Sequence, residues 1–118
     1  MKNLYEKTVL PLYYQIGECK AKIDSLIEDR ESRVELIKSF EKPLYDWFAF
    51  DVKMSAKYPE VYTESANADA IKYQLSVIDE QHKKIAEADR EIKRLYYKLS
   101  DTVKSAKAAE AEYYKLSA

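Results

Sequence analysis

Apolar residues recur at alternating steps of four and three along most of the chain, as on one face of a long helix. In the first half the four–three spacing is unbroken, although Arg30, Arg33 and Asp51 are charged. Its positions are Leu12, Ile16, Cys19, Ile23, Leu26, Arg30, Arg33, Ile37, Phe40, Leu44, Trp47, Asp51 and Met54. Such a heptad stripe is typical of a coiled-coil seam, the narrow face that packs against a partner helix. The pattern therefore predicts a first long helix over residues 11–56.

A second long helix is predicted over residues 67–117, which contain neither glycine nor proline. Its seam is assigned to Ile71, Leu75, Ile78, His82, Ile85, Ala88, Ile92, Leu95, Leu99, Thr102, Ala106, Ala109, Tyr113 and Leu116. Two consecutive three-residue steps, from His82 to Ile85 and from Ile85 to Ala88, indicate a stammer, which is a local overwinding of the coil.

Residues 57–66 form the loop between the two helices. Pro59 disfavours helical backbone at the residue before it, and several residues after it are good helix N-caps: Thr63, Ser65 and Asn67. Two helices of ~45–50 residues joined by a short loop fold back as an antiparallel hairpin. A turn centred near residue 61 pairs positions equidistant from it, which places Phe40 beside His82.

The predicted fold class is therefore all-α: a long, coiled-coil-like antiparallel helical hairpin that forms a single domain over residues 1–118. Self-association, or an N-terminal arm or short helix at residues 1–10, completes the hairpin to a helical bundle. Pro43 lies inside the first helix, and we predict a kink there because Lys42 is a poor helix cap. The alternative is a break at Pro43, which would give a bundle of three or four helices.

Composition supports this class and restricts the chemistry. The 118 residues include one glycine and three prolines, too few for the turns of an all-β domain or the joints of a parallel α/β sheet. The 20 basic residues nearly balance the 21 acidic ones, and the single cysteine excludes an internal disulfide. No long apolar segment or signal peptide is visible. We therefore expect a soluble cytoplasmic protein.

Few residues are suited to catalysis or metal binding. His82 is the only histidine, and a di-metal helical site would need a second one beside further inward carboxylates. Cys19 is read as a small buried hydrophobe, because a nucleophilic cysteine needs a nearby base. The chain has no glycine-rich phosphate loop. The sequence therefore predicts a protein that is not an enzyme and that holds no metal or cofactor.

A polar layer is predicted inside the hairpin, formed by Arg30, Arg33 and Asp89. Arg30 falls on the seam in both registers that fit the first helix, and Arg33 falls on it in one of them. A buried polar layer of this kind fixes the register of a coiled coil at some cost in stability.

The aromatic segment at residues 44–52 is the strongest functional signal. Its predicted interface residues are Tyr45, Trp47, Phe48, Phe50 and Val52. Trp47 belongs to the seam, whereas Phe48 and Phe50 flank it on opposite sides, where a two-helix seam leaves them uncovered. We expect a protein–protein interaction or scaffolding module that self-associates, most simply as a dimer. The alternative is a small inhibitor or adaptor that binds a different protein.

A second alternative is binding to a polyanion such as nucleic acid. Basic residues gather late in the second helix, and the contacts would be made by Lys93, Arg94 and Lys98. Nucleic-acid-binding domains usually have a stronger basic bias than this chain. Membrane binding is not expected, because the apolar and basic residues do not share one amphipathic face.

Overall fold

The computed structural model describes residues 2–117, with side chains from Asn3 onward, and the described chain is helical without a strand. Three helices follow one another: α1 over Lys2–Thr8, α2 over Leu10–Lys57 and α3 over Ala68–Ser117. The predicted all-α class and the helical hairpin made by the two long helices are confirmed. α2 continues through Pro43, so the chain does not break at that residue.

The boundary between α1 and α2 follows from Pro11. Proline has no N–H group, so the regular ladder of helical hydrogen bonds is interrupted at this point. The amide of Val9 donates to the Tyr5 carbonyl at 2.9 Å, and the Val9 carbonyl accepts from both Leu12 and Tyr13, at 3.1 and 3.3 Å. Val9 is fully buried at this corner, which anchors the short first helix to the fold.

The connection between α2 and α3 contains Pro59 and two polar residues, Ser65 and Asn67, that form hydrogen bonds at the start of α3. At the end of α2, the Tyr58 amide donates a hydrogen bond to the Met54 carbonyl at 2.8 Å. At the other end, the Asn67 carbonyl accepts the first α3 bond, from the Ile71 amide at 2.8 Å. The Ser65 hydroxyl oxygen accepts the Asn67 amide at 3.2 Å. Asn67 therefore serves as the N-cap, one of the candidates in the sequence.

The packing of the helices forms two compact units. The loop unit comprises residues 30–87, and its core consists of Ile37, Leu44, Ile78 and Ile85, with Val34, Phe40, Trp47 and Ile71 packed around them. The terminal unit comprises residues 2–29 and 88–117. Its core consists of Cys19, Ile23 and Leu95, with Leu26, Ile27, Ile92 and Leu99 packed around them. In each unit the core is a thin stripe between two long helices.

The seam predicted for α2 is confirmed, because every position assigned to it from Leu12 to Met54 is buried or half-buried. The seam of α3 differs from the prediction at three positions, one of which is Leu116, 60% exposed near the end of the helix. Leu75 is 48% exposed and His82 is exposed, whereas Gln74 and Gln81 are half-buried in their place. Steps of three and four then alternate without interruption along α3, so the predicted stammer is wrong.

The predicted pairing of the helices is also wrong. In the terminal unit the Cys19 thiol donates to the Leu95 carbonyl at 3.2 Å, although a turn centred near residue 61 would place Cys19 level with residue 103. In the loop unit His82 is exposed and Phe40 packs against the core cluster. The hydrogen bond from Arg33 to Gln81 shows the same offset of about eight residues, because the assumed turn would place Arg33 level with residue 89. Within the described chain, no helix is both long and apolar enough to cross a membrane.

Candidate interaction surface

An open apolar groove lies along one side of the loop unit. We call it the Phe48 groove, and its lining residues are Glu41, Leu44, Tyr45, Phe48, Leu75 and Ile78. Leu44 and Ile78 are buried core residues and form its floor. Tyr45, Phe48 and Leu75 form exposed walls, with Phe48 and Leu75 being 44% and 48% exposed. The groove has a volume of about 210 Å³ and is almost wholly apolar.

The heptad pattern explains why these walls stay open. Phe48 directly follows the seam residue Trp47, and Leu75 directly follows the seam residue Gln74. In an antiparallel pair of helices, equivalent flanking positions of the two helices lie on the same side of the seam. Two helices bury only the seam, so apolar residues at both flanking positions leave a hydrophobic surface in solvent.

Phe50 lies on the other side of the seam and is 43% exposed. Its ring packs edge-on against Tyr62 of the loop, with 6.1 Å between ring centroids and an interplanar angle of 81°. The Tyr62 hydroxyl donates to Oδ1 of Asp51 at 2.5 Å and accepts the Ala66 amide at 3.0 Å. Phe50 is therefore in contact with the loop of its own chain.

The five predicted interface residues thus occupy different surroundings. Tyr45 and Phe48 line the Phe48 groove. Trp47 is half-buried and packs against the core cluster, while Phe50 contacts the loop. Val52 is exposed. Leu75 is a groove residue that the sequence analysis assigned to the seam, and the continuous heptad through Gln74 and Gln81 was the signal that could have found it.

The residues of the predicted polar layer lie in both units. Arg33 is half-buried in the loop unit and donates through Nη1 to Oε1 of Gln81 at 2.8 Å. Arg30 is half-buried in the same unit, and Asp89 is an exposed residue of the terminal unit. The Arg33–Gln81 contact adds a seam glutamine that the sequence analysis missed. The role of Arg30, Arg33 and Asp89 in fixing register stays a prediction.

Positive charge on α3 is partly neutralised by acidic neighbours on the same helix. Arg94 donates two hydrogen bonds to the Glu91 carboxylate, at 3.0 and 2.5 Å. This contact lowers the pKa of Glu91 and raises the pKa of Arg94. Lys93 and Lys98, the other predicted polyanion contacts, are exposed. The charge available to a polyanion is thus smaller than the count of basic residues indicates.

Tyrosines gather at the end of the terminal unit that holds α1. The rings of Tyr5 and Tyr113 meet edge-on with 5.1 Å between centroids, and Tyr114 lies 5.4 Å from Tyr113. The Tyr13 hydroxyl donates to the Glu110 carboxylate, and this bond raises the pKa of Tyr13. Desolvation raises the pKa of Tyr5. These contacts join α1 and the start of α2 to the end of α3.

The residues considered for chemistry belong to different units. Cys19 is buried in the core of the terminal unit, and His82 lies on the surface of the loop unit. Within residues 2–117, no group of three or more histidine, cysteine or acidic side chains is arranged to hold a metal ion. The Phe48 groove is the candidate interaction surface of the loop unit.

Comparison with known protein families, curated proteins and solved structures finds no match to this chain.

Proposed function

We propose that this protein is a non-enzymatic protein–protein interaction or scaffolding module that works by self-association, most simply as a dimer. The carrying observation is the Phe48 groove, whose exposed walls of Tyr45, Phe48 and Leu75 lie directly above buried core residues. We place the protein in the cytoplasm, a location supported by the free buried thiol of Cys19.

The amount of exposed surface supports association. The chain exposes 8791 Å². A compact monomer of 13.8 kDa exposes about 6,600 Å², so roughly 2,200 Å² is in excess. A standard protein–protein interface covers about 800 Å² of each partner. One such interface therefore fits within the excess and leaves surface for scaffolding contacts.

The chemistry of the surface favours a second copy of the same chain as the partner. Glu41 is half-buried and is the one charged residue in the lining of the groove, so pairing two such surfaces brings few like charges together. The net charge of −1 also produces little repulsion between copies. Apolar walls beside a buried floor provide the kind of anchor that dominates interface energetics.

Thermal melting at a series of protein concentrations tests the proposal. Mass action stabilises an associated chain, so the midpoint temperature should rise with concentration. A midpoint that stays constant across a hundredfold range would contradict self-association. The alternative of an inhibitor or adaptor for a different protein would then account better for the exposed groove.

A further inference from the structure

We infer that the second copy docks on the Phe48 groove and that the Phe50 side of the same helix is reserved for the chain's own loop. This inference rests on the proposed function and specifies the surface by which the chain self-associates. It separates two phenylalanines that the sequence places symmetrically about the seam.

Phe48 and Phe50 form a natural comparison. They lie two residues apart on α2, are 44% and 43% exposed, and flank the seam on opposite sides. Their surroundings differ. The Phe48 ring lines an open groove, whereas the Phe50 ring packs against Tyr62.

The loop contacts account for the Phe50 side. Tyr62 is held in place through its hydroxyl, which bonds both Asp51 and the Ala66 amide. A partner that buried the Phe50 ring would compete with this loop tyrosine. On the Phe48 side, no loop residue takes part in lining the groove: all of its lining residues belong to α2 and α3. The Phe48 side is therefore the side on which a partner can bind without displacing the loop.

A two-fold arrangement satisfies both copies at once. Each copy presents the same groove, so Phe48 and Leu75 of one copy pack against the same residues of the other. Such packing converts the two helices of each loop unit into a four-helix layer and covers the flanking positions that a two-helix seam leaves in solvent. The excess surface of the chain is large enough to supply about 800 Å² from each copy.

The direct test introduces a negative charge on either side of the α2 seam, in two separate variants. Phe48→Glu and Phe50→Glu are compared with the parent by sedimentation equilibrium, and circular dichroism checks that each variant stays helical. We expect Phe48→Glu to halve the mass of the associated species and Phe50→Glu to leave it unchanged. Dissociation by Phe50→Glu alone, or by neither variant, would overturn the inference, while self-association in the parent would keep the proposed function intact.

A second pair on α3 decides the case in which both variants dissociate or Phe50→Glu fails to fold. Leu75→Glu alters the groove, whereas Tyr73→Glu alters an exposed position outside its lining. The inference is supported if the Leu75→Glu variant is dissociated while the Tyr73→Glu variant remains associated, and any other result overturns it. A parent chain that is monomeric at the outset contradicts the proposed function itself.

Discussion

Tyr62 and Asp51 connect the loop to the seam of α2, with the Tyr62 hydroxyl donating to Oδ1 of Asp51 at 2.5 Å. Asp51 occupies a half-buried seam position, where a carboxylate costs free energy unless a hydrogen-bond donor satisfies it. Because the loop supplies the donor, the one acidic residue in the α2 seam also fixes the path of the chain after Pro59.

Removing that donor should weaken the fold. Tyr62→Phe keeps the ring contact with Phe50 and deletes only the hydroxyl, which leaves Asp51 without this partner. We expect the free energy of unfolding to fall by about 1–3 kcal/mol, measured by urea denaturation at one fixed protein concentration. Tyr73→Phe, at an exposed position of α3, is the control and should change it little. Equal stability of the two variants would show that the loop bond contributes nothing.

Much of the fold could be predicted from spacing alone. The α2 stripe from Leu12 to Met54 is regular because apolar residues fill most of its seam, and the breaks at Pro11 and Pro59 follow from the missing N–H group of proline. The α3 stripe is harder to place from the sequence, because two of its seam positions are the polar residues Gln74 and Gln81. Leu75 follows Gln74 and His82 follows Gln81, so the spacing of less polar residues places the seam one residue too late at both positions.

Gln74 should be replaceable with a gain in stability. Its Oε1 atom is buried without a hydrogen-bond partner in the described chain, at a half-buried seam position of the loop unit. Gln74→Leu removes this buried polar group and adds apolar contact, so unfolding should require about 1–2 kcal/mol more.

The matched control is Gln81→Leu, one heptad later on the same seam. This change removes the acceptor for Nη1 of Arg33 and should not bring the same gain. Chemical denaturation of both variants gives the comparison. A Gln74→Leu protein less stable than its parent would mean that the amide has a role that the described contacts do not supply.

Gly17 should also be replaceable. It lies in α2, is exposed, and a Cβ atom added there would have no heavy atom outside the local backbone within 4 Å. Gly17→Ala should raise the free energy of unfolding by about 0.5–1 kcal/mol, because glycine loses more backbone freedom than alanine on entering a helix. Ala21→Gly, at an exposed position one turn later, should lower it by a similar amount. Melting temperatures that move in the same direction would refute the helical reading of this segment.

The contact between Arg94 and Glu91 should measurably lower the pKa of the Glu91 carboxyl group. The two hydrogen bonds from Arg94 favour the carboxylate, so the pKa of Glu91 should lie below its ordinary value of about 4.3. A depressed pKa in the folded state means that the contribution to stability is present above the ordinary value and is lost as the pH falls through the folded value.

Carboxyl chemical shifts followed by NMR against pH measure this directly. Arg94→Gln should return the pKa of Glu91 towards its ordinary value, and Lys93→Gln, the control on the next residue, should leave it depressed. An unshifted Glu91 in the parent chain would mean that the surface pair does not persist in solution.

The candidate surface could be predicted only in part. The aromatic segment was visible in the sequence, because residues such as Phe48 and Phe50 cannot both be covered by a narrow seam. Their different roles depend on Tyr62, a loop residue whose ring position no helical periodicity describes. Leu75 flanks the seam only if Gln74 is a seam residue. The contribution of α3 to the groove could therefore be identified only from the three-dimensional structure.

Sedimentation equilibrium of the unmodified protein measures directly whether this chain associates with itself. We expect a mass that rises from 13.8 kDa at low concentration to twice that value across the micromolar range. A mass that stays at 13.8 kDa throughout that range would contradict it.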